Sequence, residues 1–442
     1  MPTYPITLST FYTDLAARLY DPTNQQWTQP ELLLYVQDAM RTWNALTGYW
    51  RGDFIFPAPA GPTWLVIPAL PNTLRPITLT PTDLYTIIQY HLLEPPTGAG
   101  PWTGSAQFNL AQLEAAVTRR QNELLGATGC ALISTIYPAA PGRTALSTTT
   151  LDVRRIAFLP APTFGPPSTL WPDDAWGWQS FEPNYTTLPP GIPSTYALNT
   201  QPVFTFDVDV NLNVPGEYEV LSTTVNLFGQ LSTPDDWSWV TKYGALADLL
   251  STESNAKDTP RAKYAEGRYM QGLNLLGMAP ALLGMRVNNV PVEIDSVRAA
   301  DTYNPSWEGL AAGAPNAAYV AGLNMFILSP PPDAGPYSVT ATVVENAPVP
   351  SAPTDPIPVT EDVYEVLVDY AQHVAMFKSG GAEFAATMPL LQRFLGMAAL
   401  YASKVAEMGE FAKVLYAQSQ LESAMNPRMT ENTVAEAVDA NG

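Results

Sequence analysis

The 442-residue chain has one cysteine, Cys130, and few cations: 21 Lys and Arg against 41 Asp and Glu, a formal charge of −20. A single cysteine excludes an internal disulfide framework and fits synthesis in a reducing place. An acidic chain repels phosphate, which argues against nucleic-acid binding through a basic patch. Charged residues make up only 14% of the chain, so the surface is polar-neutral and rich in proline and aromatics. No Lys or Arg occurs between Arg75 and Arg119, between Arg155 and Lys242, or between Arg298 and Lys378. These gaps are the strand-like, proline-rich regions. No run approaches the ~18 apolar residues of a membrane span. The opening MPTYPITLST has neither a basic n-region nor an apolar h-region and does not read as a signal peptide.

Catalytic signatures are missing as well. There is no G-x-x-x-x-G-K-[ST], no G-x-G-x-x-G after a strand, no H-E-x-x-H and no C-x-x-C. Two histidines, His91 and His373, exclude a multi-histidine metal site, and each reads as structural. Cys130 reads as a small buried apolar residue opening a strand. No enzyme activity, cofactor or metal is expected.

What is present starts with Trp27–Trp43. Thr28 is a good N-cap, Pro30 sits in the first turn, and Glu31 three residues on completes an expected capping box. Leu32, Val36, Ala39 and Trp43 form an apolar stripe at helical spacing. An earlier helix is expected over Thr10–Tyr20, with Phe11, Leu15 and Leu19 on one face and Asp21-Pro22 as the stop.

Further along, Asp53–Pro81 reads as strands and turns, and the β-branched run Thr86–Leu93 as a strand. Asn109 caps a helix to Leu125, with Gly126 at C′. Cys130–Tyr137 and Val153–Leu159 are expected strands on either side of a PAAPGRT turn. Pro160–Pro202 is dense in proline and aromatics, which predicts an ordered loop region. From Val203 the chain repeats a pattern in which a β-hairpin feeds a helical hairpin. Gly216-x-Tyr218 matches Gly335-x-Tyr337, Asp235 matches Asp362, and Tyr243 matches Tyr370. The tail Asn426–Gly442 is small, acidic and expected to be flexible in isolation.

Two candidate sites emerge. Trp171, Asp173, Asp174, Trp176, Trp178 and Glu182 put carboxylates beside tryptophans, as a glycoside hydrolase does, but adjacent aspartates point differently and the ordinary reading is a structural loop. Asp207, Asp209, Glu217 and Glu219 alternate with apolar residues at strand spacing and are candidates for one acidic face lining a DNA channel; a merely solvated face is the ordinary alternative.

A family resemblance adds to these readings. The opening W-T-x-x-E-L-x-x-Y-V-x-D-A-x-R, carried by Trp27, Thr28 and Glu31, resembles that of tailed-phage head–tail connector (adaptor or neck) proteins. So do QFNLAQLEAAVTRRQNELLGATG, LDVRRIAFL, LWPDDAW with Trp171, Asp174 and Trp176, and the P-x-x-Y at Pro193–Tyr196. PDDWSWVTKYGALADLL and the PPPDAGPYSV–PVTEDVYEVLVDYA unit extend it over most of the chain. Pro172 departs from it, standing where a basic residue is expected. The resemblance implies a structural virion protein: a homo-oligomeric ring of twelve subunits between portal and tail, with double-stranded DNA passing unbound and no membrane. A tail or baseplate-proximal protein is the nearest alternative, and a carbohydrate-binding or hydrolytic receptor module a more distant one. The fold class expected is α+β, bundled helices interleaved with β insertions. The expected divisions are 1–126, 127–233, 234–290, 291–360, 361–425 and the tail 426–442.

Overall fold

The computed structural model describes residues 6–67, 79–93, 108–139, 142–161, 165–174, 191–201, 205–210, 214–225, 231, 233–252 and 257–420. The fold is mixed α+β. Among the described residues its helices include α1 (Leu8–Arg18), α2 (Gln29–Thr47), α3 (Pro81–His91), α4 (Leu110–Thr128), α5 (Ser238–Ser251) and α6 (Thr259–Leu276). They continue with α7 (Val297–Tyr303), α8 (Glu361–Met376), α9 (Gly381–Ala385) and α10 (Met388–Ala402). All but the short α7 contribute to one apolar core, which gathers Trp43, Leu124, Tyr243, Tyr370 and Phe394 from four separate stretches of sequence.

The strands form four sheets. In the largest, β4 (Ile133–Pro138), β10 (Gly216–Thr224), β6 (Thr150–Pro160), β7 (Ser168–Pro172), β8 (Thr195–Gln201), β9 (Thr205–Val210) and β5 (Gly142–Ala145) lie side by side in that order. A second runs β12 (Val290–Pro291), β11 (Gly284–Val287), β16 (Ser338–Val344), β2 (Arg51–Pro57). A third runs β13 (Glu293–Ser296), β14 (Ala317–Ala321), β15 (Met325–Ser329), β3 (Leu65–Val66). The strands β1 (Ile6–Thr7) and β17 (Pro356–Ile357) form a small antiparallel pair.

Local chemistry explains where the elements begin, and corrects several sequence readings. Of the expected strand Thr86–Leu93, Thr86–His91 is helical and Leu92–Leu93 turn out of the helix. Thr80 and Asp83 close a reciprocal capping box with Pro81 in the first turn, and this start outweighs the β-branched run behind it. The capping box expected at Thr28 does not form: Thr28 is the N-cap, but its side chain makes no cap bond. Glu31 turns into the core instead, 2.8 and 3.0 Å from the Lys378 ammonium and 2.6 Å from the Tyr35 hydroxyl. A charged partner outbids a backbone N–H. Helix α1 starts earlier than expected, on Thr7. Helix α4 ends on Gly129, whose φ of 61° suits glycine, so Gly126 lies inside it. Cys130 precedes β4, and the expected PAAPGRT turn contains β5.

The repeat is real as a pair of helical hairpins, but its strands are not hairpins. Strand β9 pairs with β8 and β5, and β15 with β14 and β3. The strands that feed the helices, β10 and β16, pair antiparallel with β4 and β2. The repeated unit is therefore larger: helix, helix, strand, then a partner strand and two more helices. One copy is α1–α2–β2 with β16–α8–α10; the other is α3–α4–β4 with β10–α5–α6, lying wholly between the halves of the first.

The correspondence is detailed. Helices α1 and α3 both have 11 residues, and α2 and α4 both have 19, with left-handed Gly48 and Gly129 as caps. Thr47 and Thr128 hydroxyls donate to the carbonyls of Trp43 and Leu124 at 2.7 and 2.8 Å. Trp27 and Phe108, each just before its helix's N-cap, are both buried. Strands β2 and β4 end on Pro57 and Pro138, after which Ala58 N–H donates to Tyr337 O and Ala139 N–H to Gly216 O. That register sets Gly216 against Tyr337, so the shared Gly-x-Tyr phrase runs two residues out of structural phase. Packing repeats too: α1 on α8 as α3 on α5, α2 on α8 and α10 as α4 on α5 and α6.

Candidate functional site

The large sheet has one apolar face, where Ile156, Phe158, Leu170, Tyr196, Tyr218 and Val220 form a core cluster. Successive strand residues alternate between faces, so the register fixes what lies opposite. Glu217 and Glu219 pair with Leu159 and Ala157 on β6, and Ala157 pairs with Thr169 on β7. Trp171 on β7 pairs with Thr195 on β8, while Ala197 and Asn199 pair with Asp209 and Asp207. Following these pairs across the sheet, positions 207, 209, 217 and 219 are in phase with one another, although three strands separate β9 from β10.

The two glutamates of β10 differ in accessibility. Glu217 is exposed, but Glu219 accepts a hydrogen bond from Ser134 at 2.9 Å and lies 3.8 Å from the Arg155 guanidinium. It belongs to a buried charge cluster that sequence reading missed. Arg155 Nε and Nη2 donate to the two carboxylate oxygens of Asp301 at 2.8 and 3.0 Å, and Nη2 also donates to Thr169. Its Nη1 pairs with Glu308 at 2.8 Å. The Trp307 indole N–H and the Thr169 hydroxyl also donate to Asp301. Three carboxylates thus surround one cation. Burial pushes the Glu308 carboxyl up to about 7; Arg155 opposes that shift and Glu219 adds to it. The signal in the sequence was Arg155 itself, a charge directly before the apolar strand run IAFL.

The remaining sequence candidates are scattered. Trp43 is fully buried against Tyr49, Phe394 and Tyr401, and Trp27 is buried with its indole N–H on Ala375 O. Trp171 is 42% exposed at the end of β7, followed by exposed Asp173 and Asp174. Trp176, Trp178 and Glu182 lie outside the described residues, as does the tail from 421.

The histidines and cysteine sit in the core. His91, at the end of α3 rather than in a strand, is fully buried; desolvation first, then Lys242, Arg261 and Lys378, hold its pKa well below the usual value. Burial lowers His373 to about 3 and raises the Cys130 thiol to about 11. Such groups stay neutral near pH 7, and the thiolate a nucleophile needs is suppressed.

Among the described residues, no group of three or more His, Cys, Asp or Glu is arranged to hold a metal ion. No helix among them is long and apolar enough to cross a membrane. The chain matches no protein-family model, and no curated protein matches its sequence.

Proposed function

We propose that this chain is a structural, non-enzymatic virion protein of a tailed bacteriophage, a head–tail connector (adaptor or neck) subunit. In this reading it forms a homo-oligomeric ring, for which the sequence resemblance implies twelve subunits, between the portal and the tail or further neck proteins. Double-stranded DNA passes through without specific binding. The observation that carries the reading is how charge is spent. Buried cations such as Arg155, Lys242 and Lys378 are each locked to a carboxylate inside the fold, while Glu217 stays exposed on a sheet face in phase with Asp207 and Asp209. Arg143 stands opposite Asp209 on that face, so the acid that a polyanion would meet rests on positions 207 and 217, and acid does not hold DNA.

Labelling tests this in particles. Antibody or gold directed at the protein should mark the junction of head and tail, and a nonsense mutant should accumulate filled heads without attached tails. Label at the distal tail tip would favour the tail or baseplate reading. One observation favours a carbohydrate-binding reading: exposed Trp171 lies beside Asp173 and Asp174. Binding of a cell-surface polysaccharide that Trp171→Ala abolishes would establish it.

A further inference from the structure

The two copies of the repeated unit meet head to tail. Helix α2 of the outer unit packs on α3 and the first turn before α5 of the inner one. Asp38 on α2 accepts from Lys242 on α5 at 2.6 Å, and Asn44 on α2 donates to Asp236 at 2.7 Å. Leu34, Arg41, Asp83 and Leu84 line the cleft beside that pair. Among the described residues, the helix corresponding to α2, α4, packs chiefly on α5, α6, β6 and β10, all of its own unit or sheet. Burial follows. Thirteen of 19 residues in α2 are buried, but only six of 19 in α4. Each unit thus has two docking surfaces, and among the described residues one of each kind is used inside the chain. A contact between two different surfaces repeats indefinitely, as a ring or a filament.

We propose that the outer face of α4 receives the α1–α8 face of a second copy of this chain, on the plan of the seam between the two units. This deepens the ring reading above, because a ring of such chains presents twice as many units as chains.

The corresponding residues are complementary. Position 38 on α2 becomes Arg119 on α4, and Lys242 on α5 becomes Asp369 on α8, so the pair survives with its signs exchanged. Within the chain each is already paired: Arg119, 65% exposed, with Asp248, and Asp369, 2% exposed, with Arg18 and Arg393, while Glu365 beside it is 44% exposed and also pairs with Arg18. Leu34 becomes exposed Ala115, and Asp83 becomes exposed Thr10. Docking on this plan would bring the exposed Arg119 to the rim of the Arg18–Glu365–Asp369–Arg393 cluster, where half-exposed Glu365 is its carboxylate partner, beside small side chains that allow close approach.

Sedimentation velocity and native mass spectrometry of the full chain test this. Wild type should assemble into a species of fixed stoichiometry. Arg119→Glu and Glu365→Arg should each weaken association by about tenfold or more, and the double reversal should restore it. Thr10→Cys with Ala115→Cys should form disulfide-linked ladders on oxidation, since Cys130 is buried. A wild type that stays monomeric at high concentration, single reversals that assemble normally, or a cysteine pair that gives no ladder would each overturn the interface. Loss of assembly with label still at the neck would sink this contact alone; assembly with label elsewhere would sink only the neck assignment.

Discussion

Tyr20 and Leu93 occupy the same left-handed turn in the two units, at φ 55° and 60°, each just after the C-cap of an 11-residue helix. Their amides donate to Ala17 O at 3.1 Å and Tyr90 O at 3.2 Å, the same step along each helix. L-residues enter this region at a cost of roughly 1–2 kcal/mol. Its occurrence at both places marks a shared backbone design.

Both side chains are exposed, Tyr20 at 93% and Leu93 at 62%, so glycine removes little packing. Tyr20→Gly and Leu93→Gly should each stabilise the fold by about 0.5–1 kcal/mol, the relief of strain offset in part by glycine's greater chain entropy. Urea unfolding measures this. A loss of stability in both would mean that these side chains hold contacts the turn does not explain.

Trp43→Ala should cost about 3–5 kcal/mol, because it empties the space between Phe394 and Tyr401 in the shared helical core. A lowered melting temperature or lost solubility is the expected sign. Wild-type stability would contradict the burial of this stripe.

The stripe around Trp43 was legible because its spacing repeats every helical turn, and so was α4 from Asn109 onward. Helix α3 was not, since Thr86, Ile87 and Ile88 read as strand while the deciding signal lay upstream at Thr80. Strand partnership was illegible for another reason. Glu217 and Asp207 follow one another closely in sequence, which suggests a hairpin, yet β10 pairs with β4, 79 to 89 residues away, and with β6, while β9 pairs with its neighbour β8 and with β5, 62 to 68 residues away. The nested unit hid because packing preserves burial and cap geometry rather than identity or size: Trp43 answers to Leu124, and Asp38 to Arg119. Of the acidic face, strand alternation gave the phase of all four positions; that Glu219 is claimed by Arg155 depends on Asp301 and Glu308, far along the chain.

The seam between units rests on a buried ion pair. Burial lowers the Lys242 pKa, and Asp38 opposes that shift. Lys242→Met alone should cost about 3–5 kcal/mol because it strands Asp38, whereas Lys242→Met with Asp38→Leu should recover most of it. A double-mutant cycle by denaturant unfolding reads the coupling. Equal losses in single and double variants would show that packing, not charge, sets the seam.

Glu308 gives stability a pH dependence of definite sign. Its carboxyl titrates at about 7 in the fold against an ordinary 4.5, so the folded form holds the proton longer. The contribution is complete below about 4.5 and is lost as pH rises through about 7, by up to about 3 kcal/mol. Glu308→Gln, which is neutral at every pH, should flatten that slope while leaving the low-pH stability nearly unchanged. A slope that survives the substitution would assign the titration to another carboxylate of the cluster.

The last prediction joins charge to passage of the genome. Duplex DNA carries about one charge per 1.7 Å, so a few inward-facing cations per subunit, multiplied around a ring, would make a strong, salt-dependent brake. Asp207, Asp209 and Glu217 are the positions to change. Glu219 should be left alone, because Lys there would meet Arg155 and disturb the buried cluster rather than the surface. Replacing the three with lysine should slow genome ejection and retain DNA at low salt, and the effect should fade as salt rises and screens the charges. The unmodified protein should bind no duplex at physiological salt. If the lysine variant forms rings yet ejects DNA normally at low salt, this sheet face lies on the outside of the ring. Tight duplex binding by the wild type would remove the acidic-channel idea altogether.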